Sequence, residues 1–455
     1  MRHPLRLWVV VLLAWPATGC AQSVPTPGAD AQIQQLVAAV SESRLRELAT
    51  MLVGFGTRET MSTATLTTRG IGAARQWIFD ELTRSSPRLQ VSFDTYRIPV
   101  QGRVTRAVEL RNVMAVLPGR TNRRVYISAH YDSLNLGRSQ LDVLAAPGAQ
   151  NPQMLPAFDH DAEAPGANDN GSGTALTMEL ARVFSDSGID FDATLVFICW
   201  AGEEQGLIGS SAHAQRLAAE KTVVEAVFNN DIVGNVRGGT GLVDSKSVRV
   251  YAVGPEDSVS RSLARYVARV AATYVPAHRI RLMAREDRFG RGSDQSSFTR
   301  FGFPAIVFRE ANEDFAKQHS AADTLDGIDF AYLAQNARVN AASAASLALA
   351  PPAPRVTGDR GQSLIARTPS GYDASLRWNA SPGAVAYRIY WRNTWTNDWE
   401  RSQAVRNVTQ FVLPAMVIDD FVFGVAAIGV DGHESLISAY VSPTRQAPDV
   451  KVVQE

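Results

Sequence analysis

Cysteine is scarce: Cys20 and Cys199 are the only two in 455 residues. Cys20 closes an N-terminal leader and Cys199 lies inside an apolar run, so a disulfide between them is not expected. A surplus of either charge is also missing, with 45 Lys and Arg against 45 Asp and Glu. A nucleic-acid surface normally shows a basic excess, so that function class finds no support, and neither does an acidic or membrane-coating role. The N-terminal apolar segment from Leu7 to Trp15 is too short to span a bilayer.

Hydrophobic residues at 45% and charged residues at 20% describe a soluble globular protein with ample core material. The length calls for two or more domains. Arg2 and Arg6, the short apolar core and the small residues Ala17-Thr18-Gly19 have the make-up of a secretory signal over residues 1–20. A cysteine directly after them resembles the bacterial lipoprotein signal, which implies cleavage, lipidation of Cys20 and export to the cell envelope or beyond. Contact with a membrane is expected only through that anchor. Residues 21–32 read as a polar, Pro- and Gly-bearing tether.

Apolar spacing predicts one helix over 33–52, a Gly-, Thr- and Ser-rich loop over 54–69 and a helix over 70–83. Strands are expected at 89–97, 107–117, 124–130, 194–200, 223–229, 247–253, 279–283 and 304–309. Helices are expected at 172–186, 207–218, 257–273 and 329–349. Strands alternating with helices predict an α/β domain over 33–350, with a mixed, mainly parallel central sheet flanked by helices. After Pro351 and Pro352 the pattern changes to short alternating strands, with Trp378, Tyr387 and Tyr390 among them. Residues 354–447 therefore predict a small all-β sandwich, and they resemble a fibronectin type III module. That module shows no catalytic group and reads as an interaction or positioning unit, for a partner that the sequence does not name.

The stretch 195–206, LVFICWAGEEQG, organises the rest. The run from Leu195 to Trp200 reads as a strand buried on both faces of a parallel sheet. Sheets of that kind carry their chemistry at the carboxyl ends of the strands. Glu203 and Glu204 stand at that end, and two adjacent acids repel unless a cation or a shared proton separates their roles. A metal could bind one and leave the other as a base.

Other acids and histidines fall at comparable places. His130 and Asp132 close the strand RVYISAH as an i, i+2 pair that can project to one side, with the acid placed to orient the imidazole. Asp169 sits in GANDNGSGTA before a helix, Asp231 in FNNDIVGN after a strand, and His319 in KQHSAADT after the strand PAIVFRE. Taken singly, these are a surface pair, a helix cap, a loop acid, a solvated histidine and an exposed acidic turn. Taken together, they put ligands for two divalent ions at one sheet edge. Mixed imidazole and carboxylate donors suit zinc best, with manganese and cobalt as alternatives.

The ordered series HYD, GANDNGSGTA, WAGEEQGLIGS, NNDIVGN and QHSAADT resembles the co-catalytic dizinc aminopeptidases, the family of the bacterial leucyl aminopeptidases and of glutamate carboxypeptidase. RNVMAVLPG and GSDQSSF resemble further segments of that family, and the resemblance covers about residues 35–350. It implies that His130, Asp169 and Asp231 hold one zinc and that Asp169, Glu204 and His319 hold the other, with Asp169 bridging. Glu203 would be the general base and Asp132 would buttress His130. The implied activity is a zinc-dependent exopeptidase acting on peptides, foremost an aminopeptidase. Relatives of the fold open other readings: glutaminyl cyclisation on one zinc, carboxypeptidase action using a cation for the substrate carboxylate, or a receptor-like protein without catalysis. The intact ligand set speaks against the last.

Several residues stay outside this scheme. The irregular segment 133–165 contains Asp159, His160, Asp161 and Glu163, which read as a solvated acidic loop rather than a third ion site. The segment itself is expected to overhang the site. Ser293 and Asp294 are candidates for shaping the substrate pocket. Arg309 and Glu310 pair either with substrate termini or with each other.

Overall fold

The computed structural model describes residues 28–137 and 159–441. The leader with Cys20, most of the tether, residues 138–158 of the segment expected to overhang the site, and the chain beyond 441 lie outside the described residues. Eight strands build one sheet: β1 (Gln90–Ile98), β2 (Val108–Leu117), β3 (Arg124–His130), β4 (Thr194–Trp200), β5 (Val224–Asn230), β6 (Ser247–Ala252), β7 (Arg279–Met283) and β8 (Ala305–Glu310). Their order is β1–β2–β4–β3–β5–β8–β6–β7. The four central strands β4, β3, β5 and β8 run parallel. β1 and β2 join antiparallel on one flank, and β6 meets β8 antiparallel on the other. The carboxyl ends of all four central strands therefore share one edge.

Alternate residues of the central strands feed two cores, as period-2 geometry requires. Val125, Ile127, Leu195, Phe197 and Cys199 enter the larger cluster, while Tyr126, Val196, Ile198 and Trp200 enter the smaller one. Helices cover both faces: α1 (Ala31–Ala38), α2 (Glu42–Gly54), α3 (Gly70–Ser85), α4 (Gly173–Asp186), α5 (Ile208–Ala219), α6 (Val259–Tyr274), α7 (Gln295–Thr299) and α8 (Phe330–Leu349). The alanine-rich α8 is buried along most of its length and packs on α1, α2, α4, α6 and β3.

The single helix expected over 33–52 is two helices. The chain breaks at Val40 and Ser41, where the Ser41 hydroxyl caps α2 by accepting the Arg44 N–H at 3.2 Å. The Ser41 N–H is drawn away to Glu179 Oε1 on α4 at 2.8 Å. Apolar spacing continues across the break, so periodicity alone does not register it.

Beyond α8, β9 (Ile365–Ala366), β10 (Ala374–Arg377) and β13 (Gln410–Leu413) form one antiparallel sheet. A second contains β11 (Ala386–Asn393), β12 (Arg401–Arg406), β14 (Phe421–Ile428) and β15 (Ser438–Ala439). Leu376, Trp378, Tyr387, Ile389, Phe423 and Val425 fill the core between them. This pair of sheets is bolted to α6 and its approach. Both Arg392 Nη2 contacts reach the Asp257 carboxylate, at 2.8 and 2.9 Å, and the Ser262 hydroxyl donates to the Ile437 carbonyl at 2.7 Å. Leu436 enters the larger core of the first unit. No helix among the described residues is long and apolar enough to cross a membrane.

Candidate metal centre

The parallel strands bring their terminal residues to one place. His130 ends β3, Glu203 and Glu204 follow β4, Asp231 follows β5, and His319 lies in the chain beyond β8. Asp169 enters from the buried turn 167–172 ahead of α4. His130 Nε2 stands 3.4 Å from Asp169 Oδ1, 3.5 Å from Asp231 Oδ1 and 3.9 Å from Glu203 Oε2. His319 Nε2 stands 3.2 Å from both Asp169 Oδ2 and Glu204 Oε2. One carboxylate, Asp169, therefore offers each histidine a different oxygen.

These spacings are those of ligands around an ion. Donors about 2.0–2.1 Å from a tetrahedral metal lie roughly 3.3 Å from one another. Glu204 Oε1 is buried with no hydrogen-bond partner among the described residues, a costly state that a cation would relieve. The donor set of imidazoles and carboxylates fits zinc. Distance alone does not divide the two glutamates, because Glu203 also falls into a ligand-like group with His130 and Asp231. The difference lies in the neighbours: Glu204 is engaged by His319, whereas Glu203 has only the longer approach to His130.

Charge is crowded here. Burial pushes the Glu203 carboxyl well above its usual range; His130 opposes this, and Glu204, Asp231 and Asp294 add to it. Burial also raises Glu204. Asp169 goes the other way, held well below its usual range despite burial by hydrogen bonds from His130 and His319. Asp231, likewise buried, is held at about 2 by Arg309 and His130. Burial disfavours charge on both histidines, but the surrounding carboxylates win and raise them.

A ring of polar braces fixes these groups. The Asp132 carboxylate accepts the N–H of Glu203 on Oδ1 at 3.2 Å and the N–H of Glu204 on Oδ2 at 3.1 Å. The closest partner of His130 Nδ1 is the Asp132 backbone carbonyl at 3.1 Å, with Oδ1 farther off at 3.6 Å. Asp323 accepts the N–H groups of Asn168 and Asp169, at 3.0 and 2.8 Å. Arg103 donates to the Glu204 carbonyl at 2.8 Å, and Gln205 Nε2 donates to Glu59 Oε1 at 3.0 Å. Arg309 Nη2 donates to Asp231 Oδ2 at 2.6 Å, whereas Glu310 accepts from Asn168 Nδ2 at 2.9 Å. Arg309 and Glu310 thus do not pair with each other, since neighbours on a strand face opposite sides.

Sequence reasoning passed over part of this ring. The loop 54–69 holds five buried polar residues, Thr57, Arg58, Glu59, Thr60 and Ser62. Arg58 donates to the carbonyls of Leu52, Tyr131, Pro165 and Gly166, and the Thr60 hydroxyl donates to Asp132 Oδ2 at 3.1 Å. The one available signal was the adjacent charged pair Arg58-Glu59 in an otherwise small and polar loop. Asp323 stood inside the motif QHSAADT without an assigned part.

Ser293 and Asp294 are both buried, with Ser293 Oγ accepting from Asn229 Nδ2 at 2.8 Å. Burial pushes the Asp294 carboxyl up to about 7, with Asp132 and Asp231 adding to it. Three residues of 159–163 engage the loop across from them: Glu163 pairs with Arg69 at 2.7 Å, Asp161 Oδ1 accepts the Thr63 N–H at 3.1 Å, and His160 Nδ1 lies 3.2 Å from Glu59 Oε2, while Asp159 Oδ1 accepts the Asp161 N–H at 3.0 Å. No metal-type group forms there among the described residues.

Comparison with known proteins adds a family to this geometry. The family model described as peptidase family M28 matches residues 112–344. A probable zinc metalloprotease of Pyricularia oryzae is 35% identical over 92% of this chain and 86% of its own. The LapA aminopeptidase of Legionella pneumophila has a TM-score of 0.54 at 19% identity, covering 72% of this chain and 77% of that one. The glutaminyl cyclase of Porphyromonas gingivalis has a TM-score of 0.52 at 17% identity, covering 67% of this chain and 98% of that one. Those two likenesses concern the fold.

Proposed function

The chain belongs to peptidase family M28, and from that premise we propose that it is a zinc-dependent exopeptidase, foremost an aminopeptidase, with two ions per chain. The observation that carries the reading is the shared carboxylate: Asp169 Oδ1 faces His130 and Asp169 Oδ2 faces His319. His130, Asp169 and Asp231 would hold one ion, and Asp169, Glu204 and His319 the other. Zinc bound there supplies Lewis-acid polarisation of the scissile carbonyl and a more acidic water.

The chain's own groups do the rest. The hydrogen bond from His130 Nδ1 to the Asp132 carbonyl turns Nε2 inward. Arg309 fixes Asp231, and Asp323 fixes the backbone that carries Asp169. Glu203, half-buried beside the cluster and outside both ligand sets, receives a proton from the attacking water on its carboxylate and returns it to the leaving nitrogen. Export and lipidation at Cys20 are part of the proposal and rest on the pattern of residues 1–20. The fibronectin-like sandwich as an interaction module rests on its strand pattern and the two antiparallel sheets.

Zinc content of the purified protein, measured beside peptides with free N-termini, blocked N-termini and N-terminal glutamine, tests this reading. Release of the first residue from free peptides alone, at two zincs per chain, supports it. Cleavage of blocked peptides from the other end would make the protein a carboxypeptidase. Cyclisation of the glutamine peptides with a single zinc would make it a cyclase.

A further inference from the structure

Beside the metal-type cluster, arginines outnumber the acids that could neutralise them. Arg249, Arg288 and Arg309 all approach the single carboxylate of Glu313: Arg249 at 2.5 Å, Arg288 in close contact and Arg309 at 4.0 Å. Arg309 also holds Asp231. Arg291 has no acid partner among the described residues. Its Nη2 donates to the neutral Gln318 Oε1 at 3.2 Å, and its guanidinium lies 4.6 Å from the Phe315 ring centre. The acids of the same segment are turned elsewhere, Glu286 onto the Thr299 hydroxyl and Asp287 onto the Gly290 N–H. Among the described residues, Arg249, Arg288, Arg291 and Arg309 thus make ion-pair contacts only with Glu313 and Asp231, and Asp231 already belongs to the cluster. Burial, with Arg309 adding to it, lowers Arg288 to about 10, as crowding by like charge should.

Arg291 itself is exposed, and the carbonyl of the adjoining Gly292 accepts from Arg309 Nη2 at 3.4 Å. His319 is the most open member of the cluster, with 31% of its side chain exposed, and Gln318, the partner of Arg291, immediately precedes it. Two exposed rings flank the spot: Phe315 at 57% exposure under Arg291, and Phe289 at 89% with Arg285 stacked 3.7 Å from its centre. Stacking on an aromatic face leaves the guanidinium edge free, and that planar fork matches a carboxylate. Positive charge at the rim of such a centre suits a substrate that carries a carboxylate a short way from the scissile bond.

We propose that Arg291, backed by Arg288, forms a carboxylate-binding subsite at the mouth of the metal centre, which favours peptides bearing a carboxylate near the scissile bond. The carboxylate can be the free C-terminus of a short peptide or an acidic side chain. The proposal deepens the peptidase reading and rests on it.

Four peptides of one backbone separate the two sources: free or amidated at the C-terminus, each with Glu or Gln after the residue to be released. For the favoured source, a carboxylate should raise kcat/KM about tenfold over the neutral analogue, chiefly through KM. Arg291→Gln should bring that ratio towards one, and Arg291→Lys, which keeps the charge but loses the fork, should retain part of it. Binding of the same peptides to the zinc-loaded Glu203→Gln protein, with and without Arg291→Gln, gives a readout apart from turnover. No carboxylate preference in the parent protein, or an undiminished one after Arg291→Gln, overturns the subsite while turnover keeps the peptidase reading. Failure to cleave any of the four removes the peptidase reading, and the binding preference then decides the subsite by itself.

Discussion

The Asp132 carboxylate accepts the backbone N–H of Glu203 at 3.2 Å. With its other oxygen on the Glu204 N–H, Asp132 ties the end of one strand to the turn beyond its neighbour. The acid expected to buttress His130 lies with Oδ1 3.6 Å from His130 Nδ1 and also holds the backbone of both glutamates.

Asp132→Asn should disturb that turn. Asparagine offers one acceptor where the carboxylate offers two, and its amide would face an N–H or the Thr60 hydroxyl. Zinc affinity is expected to fall roughly 10- to 100-fold, read by competition with a chelator of known strength. An unchanged affinity would mean that the Asp132 backbone carbonyl alone suffices to orient His130.

Glu203→Gln should abolish turnover, a loss of roughly a hundred- to ten-thousand-fold in kcat, while zinc content stays near that of the parent protein. The expectation rests on His319 engaging Glu204 and leaving Glu203 free. Metal analysis decides it: loss of an ion with this change would reassign Glu203 as a ligand alongside His130 and Asp231.

Acid should weaken the opposite face of the sheet. His213 Nδ1 donates to Asp94 Oδ2 at 2.8 Å, and His213 Nε2 lies 3.2 Å from the Tyr126 hydroxyl. Burial lowers His213 below its usual 6.5 against the pull of Asp94. Asp94 is itself lowered, since the His213 hydrogen bond and its companions outweigh burial. Both groups bind protons less readily folded than unfolded, so their contribution is present at neutral pH and lost as pH falls, through the histidine range first and the carboxylate range next. In metal-stripped protein the urea midpoint of the parent should exceed that of His213→Gln by less at about pH 5 than at about pH 7.5. An equal difference at the two pH values would clear this pair of responsibility.

Cys20→Ser should abolish incorporation of a labelled fatty acid and release the protein from the membrane fraction of the producing cell. Retention of label would place the acyl group elsewhere.

The site was legible because its groups sit where a period gives them away. A strand pattern ending in His130, another ending before Glu203, and a third ending before Asp231 announce one edge of a parallel sheet. The braces were hidden because nothing local marks them. Arg58, Glu59 and Thr60 occupy a Gly-, Thr- and Ser-rich loop whose composition reads as solvated, and their burial is created by residues distant in sequence, such as Tyr131, Pro165 and Gln205. The break at Val40 and Ser41 escaped for the same reason, since the Ser41 N–H is claimed by Glu179 from another helix.

The hold of Arg392 Nη2 on both Asp257 oxygens and the seat of Leu436 in the larger core make the sandwich a bracket, not a pendant on a leash. Such a joint leaves little freedom of swivel between the two units. If the sandwich serves as the interaction module proposed above, a surface that it held would meet the open side of His319 in a fixed relation.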